Sequence, residues 1–289
     1  MEKFFIKGHT ACAGCGQAIA AKLVIDTIGK NAIVVNATGC LEVFSTWYPY
    51  SSWRVPFLHS LFENSAAVAS GVESALRHLG KENITVLSQA GDGGTADIGL
   101  QALSGMWERG HNILSICYDN EAYMNTGIQR SSLTPIKTDT TTTPVCKESS
   151  GNPTPKKDLV GIALAHNCVY VATATVGYPV DLQRKIKKAI SIKGPKFIHI
   201  LTPCPLGWYH LPELTYEVSK LAVESCLFPL VEYENTKLVS VFKPKEIKSV
   251  EEYLKLQARF KHLFKDEFKS EIEILKNISK HNIEKYNIN

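Results

Sequence analysis

Two short polar motifs, each closing an apolar run, constrain this chain most. Gly91-Asp92-Gly93 follows the run at 84–89, and Asp119-Asn120 closes the next one at 113–118. A carboxylate among glycines at a strand end suits a loop that holds Mg²⁺ and a diphosphate. Mg²⁺ seeks six oxygen ligands and usually keeps phosphate oxygens among them. Asp92 offers a carboxylate, Asn120 an amide oxygen, and the Ala122 backbone a carbonyl. Gly91, Gly93 and Gly94 leave the backbone open to close approach by phosphate oxygens. The helix expected at 98–109 would begin near those phosphates, with Thr95 or Asp97 at its first turn. A lone Gly-Asp-Gly is also an ordinary turn. The preceding strand and the second strand ending in Asp119-Asn120 give the pair its weight.

The surrounding pattern sets the architecture. Apolar, β-branched runs at 31–36, 84–89, 113–118, 169–174 and 197–201 lack clean polar alternation, as parallel strands covered on both faces do. Helical patterns at 16–28, 65–79, 98–109, 159–166 and 181–192 lie between them. Alternation of this kind predicts a doubly wound, mainly parallel α/β sheet, in which ligands bind at the carboxyl ends of strands. The predicted division is an α/β domain over residues 1–213, followed by a helical C-terminal extension over 214–289 that packs on the core or on partner subunits. Residues 134–157, rich in Thr and Pro, have no apolar periodicity. A segment of that length inside a compact domain either wraps a site or partner, or is a mobile surface loop.

Four cysteines stand apart from the rest. Cys12 and Cys15 form a Cys-x-x-Cys, whereas Cys40 and Cys204 are single. A thioredoxin-like pair would need a strand just before it, and residues 6–9 make a poor one. A structural zinc site more often brings a second pair. A [4Fe–4S] cluster accepts a pair plus two distant cysteines, and Cys204-Pro205 matches the Cys-Pro ending of bacterial cluster motifs. Spacing alone leaves both zinc and cluster open. Cys117, Cys168 and Cys226 read as buried thiols, and Cys146 has no assigned role.

Composition restricts the class further. A net charge of +4, with 44% hydrophobic and 21% charged residues, is ordinary for a globular protein and carries no nucleic-acid signature. No run has the apolar length of a membrane helix, and the N-terminus lacks a signal-peptide pattern. A cytoplasmic protein without membrane or nucleic-acid partners is therefore expected, its eight cysteines serving as ligands or buried thiols.

Taken together, the motifs resemble the thiamine diphosphate-binding β subunit of pyruvate:ferredoxin oxidoreductase, within the 2-oxoacid:acceptor oxidoreductases. The resemblance runs through Gly8-His9 and Cys12-Ala13-Gly14-Cys15-Gly16, Ala37-Thr38-Gly39-Cys40, Trp53-Arg54-Val55-Pro56 and His59-Ser60-Leu61-Phe62-Glu63-Asn64. It continues through Gly91-Asp92-Gly93, the stretch from Asp119 to Gly127, Thr202-Pro203-Cys204-Pro205 and Glu251-Glu252-Tyr253-Leu254-Lys255-Leu256-Gln257. It implies thiamine diphosphate and Mg²⁺ held by Asp92, Asn120 and the Ala122 carbonyl, and a [4Fe–4S] cluster on Cys12, Cys15, Cys40 and Cys204. Cofactor contacts are implied for Gln17, Gly39, Cys40, Gly91, Gly93, Gly94 and Tyr123. Asn125 is expected to face the reactive end. Gln17 departs from the Glu that single-chain relatives carry there.

The implied activity is oxidative decarboxylation of pyruvate with coenzyme A to acetyl-CoA and CO₂, with ferredoxin as electron acceptor, and the reverse synthesis at the same site. The implied partners are α, γ and δ subunits. The α chain supplies the carboxylate that activates the cofactor, and Glu63 is read as structural or cofactor-contacting. Alternatives are the same chemistry on oxalate, branched-chain or aryl 2-oxoacids, or a non-catalytic cluster-bearing electron-transfer subunit. Trp47, Trp53 and Arg54 are expected at an interface.

Overall fold

The structure, a computed structural model, describes residues 2–288. Helix α1 (Gly16–Ile28) leads to β1 (Ala32–Ala37), α2 (Cys40–Ser45), β2 (Phe57–Ser60), α3 (Ser65–His78) and β3 (Thr85–Gly91). A π-helical turn over Gly93–Asp97 precedes α4 (Leu100–Glu108) and β4 (Ile113–Asp119). A small hairpin follows, β5 (Val145–Cys146) and β6 (Ser149–Ser150), and then α5 (Leu159–Ala165), β7 (Tyr170–Thr175), α6 (Pro179–Ser191) and β8 (Lys196–Leu201). The chain ends with α7 (Pro205–Trp208), α8 (Thr215–Glu224), β9 (Val231–Glu234), β10 (Lys237–Val241), α9 (Val250–Lys255) and α10 (Ile272–Tyr286).

Eight of the strands form one sheet in the order β10-β9-β7-β8-β4-β3-β1-β2. From β7 to β2 all neighbours are parallel, and β9 and β10 add an antiparallel edge. Every residue of β4, β7 and β8 is buried, which explains why their sequences are largely apolar. Successive side chains serve opposite faces. Val34, Leu87 and Leu114 join α1 and α6 in one core, while Val35, Val86 and Ile113 join α3, α4 and α5 in the other. Helix α6 shows how the sequence allots its faces: Pro179 opens it, and Leu182, Ile186 and Ala189 recur at helical spacing on its buried side. The expected doubly wound, mainly parallel α/β fold is present.

The strand order places the site. After β1 the chain moves to β2 on one side, and after β3 it moves to β4 on the other. Connections diverging from adjacent strands open a crevice at their carboxyl ends. The two segments that leave this crevice begin Thr38-Gly39-Cys40 and Asp92-Gly93-Gly94.

Two expectations change in detail. The segment after residue 213 ends in helix α10 but also supplies β9 and β10, whose pairing across a short turn carried little sequence signal. Its helices form a third core around Trp208, Leu221, Tyr253, Leu254, Phe260 and Leu275. Trp53 is interior rather than at a surface: its ring stacks on Phe57 at 5.0 Å and its Nε1 donates to Ser45 Oγ at 2.9 Å. Trp47 and Arg54 are exposed.

Residues 134–157 are irregular yet pinned. Asn152 is fully buried, and its amide donates to the carbonyls of Thr134, Pro135 and Thr154 at 2.8–3.1 Å. Thr134 Oγ1 donates to the Glu121 carbonyl at 2.7 Å and Lys156 pairs with Asp119 and Glu121, so the segment packs on the β4 turn as an ordered strap. Among the described residues no helix is long and apolar enough to cross a membrane.

Candidate active site

At the end of β3 the chain bends directly into helix. Asp92 already has helical angles, and the π turn starts at Gly93, earlier than the start expected at 98. The reason is local: Ile98 N–H bonds to the Gly93 carbonyl, and Thr95 Oγ1 donates to the Gly91 carbonyl at 2.8 Å. Gly93 is required by packing, because a Cβ there would stand 2.1 Å from the Tyr123 ring. Tyr123 in turn donates to Asp97 at 2.7 Å, tying the β4 turn to the β3 loop.

Asp92 is fully enclosed. Ser131 Oγ donates to its Oδ2 at 2.5 Å, and burial, with the Asp119 charge second, pushes its carboxyl well above the usual range. One terminal atom of the Asn120 amide lies 3.0 Å from Asp92 Oδ1 and 2.8 Å from the Ala122 carbonyl oxygen. With its NH₂ turned there, Asn120 donates to both. With its oxygen turned there, three oxygens converge as they would on a cation. The orientation of an amide is an assignment, so the same geometry serves both states. A carboxylate, an amide oxygen and a carbonyl are the hard donors that Mg²⁺ takes, and the residues present fit that ion.

The four cysteines, distant in sequence, line one cavity of about 190 Å³ together with Thr10, Phe44, Thr202 and Pro203. Cys15 caps α1, its Sγ accepting from Ala18 N–H at 3.5 Å, and Cys204 caps α7, accepting from Gly207 N–H at 3.3 Å. Cys40 is the first residue of α2. Burial pushes the Cys15 thiol up to about 11 and Cys40 to about 12, with the neighbouring thiols adding to the rise. Such thiols stay protonated until a metal supplies positive charge.

Among the described residues no three His, Cys, Asp or Glu side chains meet as a single-ion site would require. A [4Fe–4S] cluster takes one thiolate at each of its irons, so its ligands surround a volume rather than meet at a point. The cysteine-lined cavity fits that demand. Backbone packing brings its sides together: Gly16 N–H donates to Pro203 O at 3.1 Å, and a Cβ on Gly14 would meet Pro212 O at 2.4 Å. Gly14 also has φ +69°. Gly14→Ala should cost about 2–4 kcal/mol from left-handed strain plus overpacking, read as a lowered denaturation midpoint. An unchanged midpoint would mean the Cys12–Cys15 loop is not pressed on this segment.

A second cavity, about 200 Å³, lies at the crevice between β1 and β3. Gln17, Gly39, Cys40, Gly91, Asp92, Gly93, Gly94, Asn120, Ala122, Tyr123 and Asn125 all line it, so the structure gathers every residue expected around the cofactor. Thr38, Phe62, Met124 and Thr126 line it too and were not anticipated. Gln17, Cys40, Asn120 and Asn125 line both cavities and form the wall between them. Gln17 Oε1 is buried without a hydrogen-bond partner. Ser131 escaped the sequence reading because a serine in a polar loop carries no signal. A larger cavity of about 350 Å³ lies under α10, but its Glu121, Lys156 and His199 are already engaged in ion pairs.

Glu63 is exposed two residues before α3 and is not among the residues that line the crevice. Cys117, Cys168 and Cys226 are buried and Cys146 is exposed.

Comparison with known proteins establishes the family and the fold. Residues 37–200 match the family described as thiamine pyrophosphate enzyme, C-terminal TPP binding domain. The pyruvate synthase subunit PorB of Methanosarcina barkeri is 56% identical over 264 residues, 91% of this chain and 89% of that protein. The ketoisovalerate oxidoreductase subunit VorB of Pyrococcus abyssi is 48% identical, covering 95% of this chain and 89% of that one. A solved structure of the 2-oxoglutarate:ferredoxin oxidoreductase from Magnetococcus marinus superposes with a TM-score of 0.58 at 24% identity, over 71% of this chain and 72% of that one. It shares the fold.

Proposed function

Because the chain belongs to the thiamine diphosphate-binding β subunits of the 2-oxoacid:acceptor oxidoreductases, we propose that it works as the catalytic subunit of a pyruvate:ferredoxin oxidoreductase. The proposed reaction is oxidative decarboxylation of pyruvate with coenzyme A to acetyl-CoA and CO₂, its electrons leaving one at a time through a [4Fe–4S] cluster to ferredoxin. The proposed partners are α, γ and δ subunits. The observation that carries this reading is the shared wall: Gln17, Cys40, Asn120 and Asn125 border both the cysteine-lined cavity and the crevice. A centre that accepts electrons would then stand beside the group that yields them.

Each side chain has a task in this reading. Gly91, Gly93 and Gly94 open the backbone to the diphosphate. Asp92, the Asn120 amide and the Ala122 carbonyl hold Mg²⁺. Cys12, Cys15, Cys40 and Cys204 hold the cluster, and Gly39 lets the chain turn from β1 to Cys40 past the cofactor. Gln17 offers its open acceptor, Tyr123 packs the loop shut, and Asn125 faces the reacting atoms. When bound, thiamine diphosphate supplies an electron sink for the carbon left by decarboxylation.

A second reading, a branched-chain 2-oxoacid as substrate, has support from the VorB relatives at 46–48% identity. PorB relatives at up to 56% favour pyruvate. The test is anaerobic co-expression with the neighbouring subunits, followed by assays of iron, acid-labile sulfide and thiamine diphosphate. Reduction of a low-potential dye is then compared with pyruvate and with 2-ketoisovalerate, each with coenzyme A. Iron, sulfide and thiamine together, with a higher kcat/KM for pyruvate, support the proposal. Zinc without thiamine would reject it, and a preference for 2-ketoisovalerate would move it to the second reading.

A further inference from the structure

We infer that Arg259, from the C-terminal segment, is a positioning residue that holds the turn 120–122 in its metal-binding shape. This deepens the proposed function and rests on the reading of Asn120 and Ala122 as cation ligands. The turn is unusual because Glu121 has φ +68°, a conformation costly for a residue with a Cβ. Such a conformation persists only where the surroundings over-determine it.

The surroundings do so from every side except the one facing Asp92. Glu121 N–H donates to Asp119 Oδ1 at 2.9 Å, and Thr134 Oγ1 donates to the Glu121 carbonyl at 2.7 Å. Trp208 Nε1 donates to the Asn120 carbonyl at 2.7 Å. The Glu121 carboxylate is gripped by Lys156 at 2.7 Å and by Arg259 Nη2 at 2.5 Å. Lys156 also reaches Asp119 at 2.8 Å, where His199 Nε2 lies at the same distance. These contacts leave one terminal atom of the Asn120 side chain 3.0 Å from Asp92 Oδ1 and 2.8 Å from the Ala122 carbonyl oxygen.

Arg259 is the member that joins two of these handles. It is 1% exposed, and its guanidinium lies 3.9 Å from the Trp208 ring centroid while it pairs with Glu121. Gln257 Oε1 fixes it further, accepting from Nε at 3.0 Å and Nη2 at 2.7 Å. One planar group thus braces the indole that holds Asn120 and the carboxylate that follows it. Lysine has neither the fork nor the stacking face for this.

The sign of the effect separates positioning from simple electrostatics. Lys156 and Arg259 balance Asp119 and Glu121. Removing the Arg259 charge makes the neighbourhood of the metal site more negative, which alone would tighten a divalent cation. Loss of positioning weakens it. Partners outside the metal's own ligands are typically worth about 10- to 100-fold in affinity.

The experiment uses the co-expressed complex, freed of divalent cation and titrated with Mn²⁺ in the presence of thiamine diphosphate. Free Mn²⁺ is followed by electron paramagnetic resonance. Arg259→Met and Trp208→Phe are expected to weaken Mn²⁺ by at least about tenfold, with iron content unchanged. Arg259→Lys, which keeps the charge, should weaken it too. Should Arg259→Met fail to assemble, the Lys variant decides. Mn²⁺ binding unchanged or tighter in the Arg259 variants overturns the inference, while a wild-type complex that binds Mn²⁺ normally leaves the function intact. A wild-type complex that takes up no Mn²⁺ with thiamine diphosphate overturns both.

Discussion

Asp92→Asn is expected to empty the crevice of its cation and, with it, to end turnover. Partners outside the ligand set already cost about 10- to 100-fold in metal affinity, so loss of a direct carboxylate should cost more than about 100-fold. The substitution preserves shape, and Ser131 can still bond to an amide oxygen. What disappears is the one negative charge that a cation would find uncompensated. Asp119 and Glu121 are balanced by Lys156 and Arg259, whereas Asp92 is held by a hydroxyl and an amide. The same logic gives the opposite sign without metal. Burial penalises the Asp92 charge, so the metal-free Asn variant should be at least as stable as the metal-free parent. Equilibrium dialysis for Mg²⁺ and thiamine diphosphate, with a melting curve on stripped protein, checks both signs. Undiminished cofactor binding would remove Asp92 from the site.

The second large effect concerns Cys204. Cys204→Ser should strip the cluster while leaving thiamine diphosphate bound, because Cys204 lines the cysteine cavity and not the crevice. Iron and sulfide attributable to this chain should fall to background, and dye reduction with pyruvate and coenzyme A should stop. Metal-site binding energy is also folding energy. Loss of the cluster should therefore loosen Cys12–Cys15, Cys40 and the start of α7 relative to one another, seen as faster amide exchange there. Iron content equal to that of the parent would contradict the assignment. Cys40→Ser is a sharper blow, since Cys40 lines both cavities: it should cost iron and weaken cofactor retention together.

Much of this was legible before any coordinates, and the reason is range. A parallel strand covered on both faces is largely apolar, so β3, β4, β7 and β8 stood out within a residue or two of their ends. Helix α1 was readable at 16–28 because its apolar positions repeat at helical spacing over three turns. The Gly-Asp-Gly loop was visible because glycine and a carboxylate at a strand end form a local pattern. Cues weakened where the structure depends on partners far along the chain. Trp53 was expected at an interface, yet Phe5, Phe57 and Ser45 enclose it within the chain. Strands β9 and β10 are short, and their place was decided by the open edge of β7.

The sequence by itself determined the α/β alternation, the two polar loops and the set of four cysteines, because each is a property of neighbouring residues and their spacing. Only the tertiary structure decided that these become one place. The divergence of the chain from β1 and β3 opens the crevice, and the packing of Gly14 and Gly16 on residues 203–212 brings Cys12 and Cys15 to Cys204. The partnership of Arg259 with Glu121 spans 138 positions. No periodicity reaches that far. Such a contact exists because strand order and helix packing bring the two side chains into a dry space, where Arg259 and Lys156 together balance the Glu121 charge.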